Sequence, residues 1–594
     1  MALFSPSASP AVTVREIDLT GVAPNVSTST GAFVGNFRWG PVNERTLVAD
    51  ESGLVREFAA PDEVNAVDFH SAAYFLKYSN SLIAVRGNNG GVNAHSAATK
   101  LGDSANVDNL SDWEQNMKSA VGVSGTQTGS FIAKYPGALG NALTVSFCPA
   151  ADSAGADYFG SWSYRTEFDQ APGTSAYASA RNASKDEVHV VVVDRTGAFT
   201  GTPNTVLERF PFLSVAKGAT TPDGSPNYIS DVINARSEYI WNGYFGDDSA
   251  FGSSFENIGQ HWGKTPDIDS ALDFSLGTSA WTDTISKIKL GGGVASSALG
   301  ASQVQTGFDL FNDTETVTVD FLIAPEAADS ATGTTIINDL TSIATARKDC
   351  VVVASPHRTA IVGATAPITN ATGFANGLTR SSYLILDNNY FKVFDKYNDQ
   401  YINIPASSST AGLMASTDLV AAPWFSPAGQ RRGNYLGVTD IVVSPNKTER
   451  DSLYKAGINP IANIPGSGVI LFGDKTFESR PSAFDRINVR RLFLAIERSI
   501  AQAAKNTMFE FNDEFTRAEF VNIIEPLLRE IKGRRGITDF RVVCDETNNT
   551  AAVIDRNEFV ANIFIKPARS INYVTLNFVA VRTGIEFEEV VGTV

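Results

Sequence analysis

Val317-Thr-Val-Asp-Phe-Leu-Ile323, a segment of helical pattern over about 329–347, and Cys350-Val-Val-Val-Ala354 read in succession as strand, helix, strand. Two β-branched runs joined by a helix with short connections make a βαβ unit, and a βαβ unit implies a parallel sheet. Val188 to Asp194 (VHVVVVD) is a further short, buried-strand run, bounded by Arg195-Thr-Gly197. Outward from this α/β core, residues 88–130 and 243–305 are rich in Gly, Asn, Ser, Asp and Thr and include Gly291-Gly292-Gly293. They read as loops or a small outer insertion.

The C-terminal fifth has a different pattern, that of an α+β domain. Ser482-Ala-Phe-Asp485 fits a capping box and opens a helix with Ile487, Leu492, Ile496 and Ile500 near one face. A second helix starts with Thr516 as N-cap facing Glu519, with Phe515 and Phe520 spaced for a hydrophobic staple. Phe520, Ile523, Ile524, Leu527, Leu528 and Ile531 follow helical spacing, Pro526 interrupts, and Lys532-Gly533 closes the helix. Strand-like runs follow at Phe540–Cys544, Phe559–Ile565 and Ile571–Val581, and Ile585–Val591 lies beyond Thr583-Gly584 as a separate strand.

The chain has 594 residues, enough for several domains with their own cores. At 43% hydrophobic it is too apolar for a disordered chain, yet no apolar run reaches the ~18 residues of a membrane span. The N-terminus lacks the pattern of a secretory signal. Cys148, Cys350 and Cys544 are far apart, which excludes a disulfide framework and suits a reducing compartment. A formal charge of −17 argues against nucleic acid and anionic lipid as partners. The charge is uneven. Residues 481–594 carry a net −1 and residues 1–480 a net −16, while Arg486, Arg490, Arg491, Arg498 and Lys505 face only Asp485 and Glu497 within 485–505. That basic segment is either a solvated helix face or a contact surface for a different partner.

No catalytic signature emerges. Gly259 to Thr265 resembles a phosphate loop but is one residue short between its glycines and is followed by Pro266. His70, His95, His189, His261 and His357 have no metal-ligand spacing, and Gly122-Val-Ser-Gly125 falls short of a nucleophile elbow. The reading is therefore of a non-enzyme without cofactor or metal. Both termini instead carry strand-forming segments set off by Gly, Pro and Ser. Such strands either fold back on their own domain or pair with neighbouring chains, and head-to-tail pairing gives open helical polymers.

Several blocks resemble contractile phage tail sheath proteins of the T-even type. They include Gly31-Ala-Phe-Val-Gly-Asn-Phe-Arg-Trp-Gly-Pro41, Phe394-Asp-Lys-Tyr-Asn-Asp399, Phe484-Asp-Arg-Ile-Asn-Val-Arg-Arg-Leu-Phe493, Val543-Cys-Asp-Glu-Thr-Asn-Asn-Thr550 and Pro567-Ala-Arg-Ser-Ile-Asn-Tyr573. The span between Gly87 and Leu139 is shorter than the outer insertion of T-even sheaths. The resemblance implies a subtilisin-like α/β domain without protease activity, a smaller outer β-rich domain and a C-terminal α+β polymerisation domain with extended strand arms. On this reading residues 1–22 are an N-terminal arm, 23–187 the outer β-rich domain and 188–475 the α/β domain with its loop-rich insertion 243–305. Residues 476–584 are then the inner domain and 585–594 the C-terminal arm.

The implied function is a virion tail sheath, assembled in the host bacterial cytoplasm as stacked hexameric rings that contract around a tail tube. Implied partners are other copies of the chain, the tube protein, and baseplate and tail terminator proteins, with no nucleic acid and no membrane insertion. By position Val12, Val14, Ile17, Leu19, Ile585, Phe587, Val590 and Val591 match the strand-exchange arms. Ile571, Tyr573, Leu576 and Phe578 match the inner sheet, and Arg486, Arg490, Arg491 and Arg498 are candidates to face the tube. The alternatives are the sheath of a tailocin or extracellular injection system and, from another class, a subtilisin-like hydrolase.

Overall fold

The structure is a computed structural model and describes residues 29–96, 106–117, 131–151, 157–242, 261–269, 271–275, 281–284 and 286–570. The chain divides into two compact units. One spans 26–423 and 427–490; the described part of the other comprises 424–426 and 491–570.

The larger unit begins with β1 (Gly31–Gly35), β2 (Arg45–Val48), α1 (Ala66–Leu76) and β3 (Leu82–Arg86). The chain then leaves for β4 (His95–Ser96), β5 (Phe131–Ala133), β6 (Leu143–Pro149), β7 (Glu187–Asp194), β8 (Thr205–Ser214), β9 (Ile240–Asn242) and β10 (Lys287–Gly291). It returns through β11 (Phe321–Ile323), α2 (Ser330–Arg347), β12 (Val351–Ala354), β13 (Leu384–Asp387), β14 (Tyr390–Asp395), β15 (Gln400–Pro405), α3 (Ser407–Val420), β16 (Asp440–Ile441) and β17 (Ile458–Asn459).

Strands β17-β13-β12-β11-β1-β3-β2 form one seven-stranded sheet, parallel except for β2 at its edge. Strands β8-β7-β6-β10-β4-β5-β9 form a second, antiparallel sheet. Strands β14, β15 and β16 make a small third one.

The expected βαβ unit is present as β11-α2-β12. Asp329 caps α2 by accepting from Thr332 N at 2.9 Å, and Ile336, Ile337 and Leu340 bury against the sheet. Its first strand starts later than expected, at Phe321. The Val317 carbonyl is taken instead by the buried Arg347 guanidinium, at 3.0 Å, so this stretch runs as loop.

Two other expectations are corrected. Residues 31–86 do not belong to an outer domain, because β1 sits between β11 and β3 inside the parallel sheet. The Val188–Asp194 run belongs to the antiparallel sheet, paired with β6 and β8. The second sheet is thus an insertion between β3 and β11 rather than a domain that ends at 187. Part of the 243–305 stretch is also regular, with β10 paired to β6 and β4, and a helix over Ala301–Asp309.

Helix α3 has Ser, Thr, Ala and Gly at most buried positions, which lets it lie close to its neighbours. A Cβ at Gly412 would run into the Tyr78 ring.

Among the described residues no helix is long and apolar enough to cross a membrane. Two carboxyl groups are held well above the usual carboxylate range. Burial pushes Asp387 up to about 7, although it accepts from Ser355 Oγ at 2.8 Å and Asn389 N at 3.2 Å. Burial likewise raises Asp68 to about 7, against the opposing pull of Asn36 N at 2.8 Å.

A carboxyl group that holds its proton more tightly folded than unfolded favours the fold at low pH. Its contribution falls as pH rises from about 4 to about 7 and is constant above that. Asp387→Asn keeps an acceptor for Ser355 and Asn389 without the charge. Between pH 5 and 8 the wild type is expected to lose about 2–3 kcal/mol more stability than this variant, as read by urea unfolding at both pH values.

Candidate assembly surfaces

In the smaller unit, α4 (Ile487–Ala504, which belongs here from Arg491 on) and α5 (Glu514–Gly533) pack with the hairpin of β20 (Ile537–Val543) and β21 (Asn562–Pro567). In the larger unit β18 (Ile461–Ile464) and β19 (Gly468–Leu471) form a separate ribbon. Leu492, Ile496, Phe520, Ile524, Leu528 and Ile531 form the core, and Phe540, Val542, Ile563 and Ile565 cover it from the hairpin. Trp424 Nε1 donates to Arg534 O at 3.1 Å.

The helix starts differ from those expected. Asp513, not Thr516, is the N-cap of α5, accepting from Thr516 N at 2.8 Å. Phe515 points to solvent and makes no staple with the buried Phe520. Ser482 caps only a 3₁₀ turn at Ala483–Asp485, and α4 begins at Ile487.

The hairpin has two strands among the described residues. Among the described residues neither β20 nor β21 has a strand on its outer edge, and Phe564 projects outward, 58% exposed. The expected partners lie outside the described residues. These are Ile571, Tyr573, Leu576, Phe578, Ile585, Phe587, Val590 and Val591, and at the other terminus Val12, Val14, Ile17 and Leu19.

Between α4 and α5, Met508, Phe509 and Phe511 face water, as does Phe515 in the first turn of α5, with Phe509 fully exposed at φ 71°. Asn512 Nδ2 donates to Glu558 O at 2.8 Å, and Arg517 donates to Asn512 Oδ1 at 3.1 Å, so the loop that displays them is tied down. Sequence reasoning missed this group. Its signal was available: apolar residues without helical or strand period, interleaved with Glu510, Asp513 and Glu514, in a connection that should be polar.

The four arginines do not form one exposed face. Arg486 is held by Asp474 at 3.1 Å and by the Tyr454 hydroxyl. Arg490 is buried, donates to Ser382 Oγ at 2.6 Å and stacks on Phe484 and Tyr383, 4.0 and 4.3 Å from their ring centres. Arg491 is buried too, and Arg498 is half-buried. Arg490 and Arg491 are therefore corrected from tube-facing candidates to interior residues.

The histidines are also accounted for by the fold where the structure shows their partners. His70 Nε2 lies 3.0 Å from Asp395, and His189 is buried, stacked on Phe168 and bonded to Gln170 O at 2.8 Å. Among the described residues no cluster of His, Cys, Asp and Glu could hold a metal ion.

Residues 299–477 match the family model of the phage tail sheath protein central domain, and residues 479–580 that of the phage tail sheath C-terminal domain. The tail sheath protein of Vibrio phage KVP40 is 32% identical over 98% of this chain and 99% of its own length. That of Enterobacteria phage T4 is also 32% identical, with the same coverage. The chain belongs to the phage tail sheath protein family.

A sheath tail protein from Listeria innocua shares the fold, with a TM-score of 0.52 at 12% identity over 92% of this chain and 93% of that one. The sheath family is a structural one, so the surfaces that matter in this chain are those that meet other chains. Among the described residues of the smaller unit, the hairpin edges and the exposed aromatics are candidates for such contacts; the buried arginines at 490 and 491 are not. Arg490→Glu places a carboxylate in an interior site lined by two aromatic rings. It is expected to destabilise the fold by about 3 kcal/mol or more, seen as a lowered melting temperature of the isolated protein.

Proposed function

We propose that this sheath chain polymerises as stacked hexameric rings around a tail tube and contracts to drive the tube through a bacterial envelope. The observation that carries the reading is the two-stranded hairpin of β20 and β21, which runs on into strand-forming residues 571–594. A two-stranded ribbon is marginal alone, and open strand edges recruit further strands. Arms carrying Val12, Val14, Ile17 and Leu19 from one neighbour, and Ile585, Phe587, Val590 and Val591 from another, extend it into a sheet shared between subunits. Ile571, Tyr573, Leu576 and Phe578 supply its inner strand.

Such shared strands act as tethers, so the lattice rearranges without dissociating, and energy stored at assembly is released as new contacts form. The tube protein, baseplate and tail terminator are the other partners, with assembly in the host cytoplasm before the sheath becomes part of the virion. The mostly parallel sheet of the larger unit, flanked by helices, supports a subtilisin-like scaffold put to structural use without catalysis.

Deleting residues 585–594 is expected to leave a protein that folds, with unchanged far-ultraviolet dichroism, but forms no tubes by negative-stain microscopy. Long ordered tubes from the truncated chain would sink strand exchange.

A further inference from the structure

Two surfaces of the smaller unit stand open among the described residues, and they differ in charge. The first is the connection that leads into α5. Phe509, Phe511 and Phe515 are exposed there, with Glu510, Asp513 and Glu514 between them, also exposed. Residues 508–515 contain no Lys or Arg. Asp513 caps α5 through Thr516 N, whereas Glu510 and Glu514 have no ion pair among the described residues. Phe509 adopts φ 71°, a region that residues with a Cβ seldom enter, so the loop displays its aromatic rings in a defined backbone shape.

The second surface is the outer face of the hairpin. Strand alternation turns Phe540, Val542, Ile563 and Ile565 toward the core and leaves Asp539, Arg541, Phe564 and Lys566 on the other side, exposed. Arg541 stands directly opposite Phe564, and Asp539 opposite Lys566. Lys532 already holds Asp539 at 3.1 Å, while Arg541 and Lys566 have no ion pair among the described residues. Asp545, past the end of β20, accepts from Thr547 N at 2.9 Å. With Arg534 and Arg535, residues 532–541 and 562–567 carry five cations against one anion, Asp539.

The two surfaces are complementary in kind as well as in sign. A basic face with an exposed Phe at its centre is matched by carboxylates interleaved with aromatic rings. Guanidinium groups stack on such rings, and the apolar contact excludes water from the charge pairs beside it.

We propose that the 508–515 loop of one copy docks on the outer face of the β20–β21 hairpin of a second copy of this chain. Glu510 and Glu514 meet Arg541 and Lys566, while Phe509 and Phe511 cover Phe564. The contact uses the face of the hairpin and leaves both strand edges free for added strands. Loop and face are different surfaces of one unit, so the contact is heterologous and runs on from copy to copy. It rests on the sheath reading and adds a contact that strand exchange does not supply.

The test uses the full chain with charge reversal on each side: Glu510→Lys with Glu514→Lys for the loop, and Arg541→Glu with Lys566→Glu for the face. Each variant is expected to melt close to the wild type, because the altered side chains are exposed. Each is expected to raise the critical concentration for tube formation, read by sedimentation, about tenfold. A chain that carries all four reversals returns to near the wild-type value, because loop and face are again opposite in sign. Three results would overturn this contact and leave the sheath reading intact. They are wild-type assembly by either doubly reversed variant, no recovery in the fourfold chain, or a loop variant that forms tubes normally but no longer binds a tail tube. The last result assigns the loop to the tube protein. A wild-type chain that never associates would overturn both.

Discussion

Arg86 holds the larger unit together. It ends β3, is 1% exposed, and its guanidinium donates to Phe37 O at 2.8 Å, Gly40 O at 2.7 Å and Pro136 O at 2.5 Å. The first two carbonyls belong to the connection from β1 to β2, the third to the segment that follows β5 in the second sheet. One side chain therefore fixes the strand order at one side of the parallel sheet and ties the inserted sheet to it. Its partners are neutral, so burial lowers its pKa to about 10, still far above physiological pH. The cation persists because its donors are shared among carbonyls that would otherwise lack partners. Lysine offers a point charge instead of a fork and could not reach all three directions.

The charge asymmetry takes on a physical meaning in this frame. Many carboxylates of residues 1–480 are exposed on the larger unit, Glu44, Glu114 and Asp231 among them. The basic run after Asp485 is mostly used internally: Arg486 with Asp474 and Tyr454, Arg490 with Ser382 and two aromatic rings. A cluster of arginines in sequence is thus compatible with no basic surface at all. Arginine's planar group stacks and forks well enough to be enclosed where lysine would not be.

What was legible in the sequence was local. The βαβ unit at 321–354 and the apolar face of α5 depend on residues within a few turns of each other, and both are present. Strand order was not legible. β1 pairs with β11, and Thr30 N reaches Asp320 at 2.9 Å across 290 positions, a contact that no periodicity announces. Hence the N-terminal strands were placed in the wrong domain. The α5 cap illustrates a subtler limit. Asp513 and Thr516 both suit an N-cap and stand one turn apart, so the capping pattern fits either. Asp513 takes the role, which adds a turn to the helix and leaves Thr516 N as the group it caps. The displayed phenylalanines were missed for a related reason: helical and strand templates score buried faces and are silent about apolar residues left exposed.

The two units differ in how complete they are as single chains. In the larger one both sheets have filled cores, with residues such as Phe33, Trp241 and Tyr390 almost wholly enclosed. In the smaller one, among the described residues, a two-stranded ribbon and several exposed apolar side chains remain, Phe509, Phe511 and Phe515 among them. Each exposed Phe forgoes about 2 kcal/mol that burial would return. Among the described residues nothing covers these side chains, so that free energy is open to further contacts. A lattice built this way can change its contacts between subunits while the parallel sheet, anchored by Arg86, stays as it is.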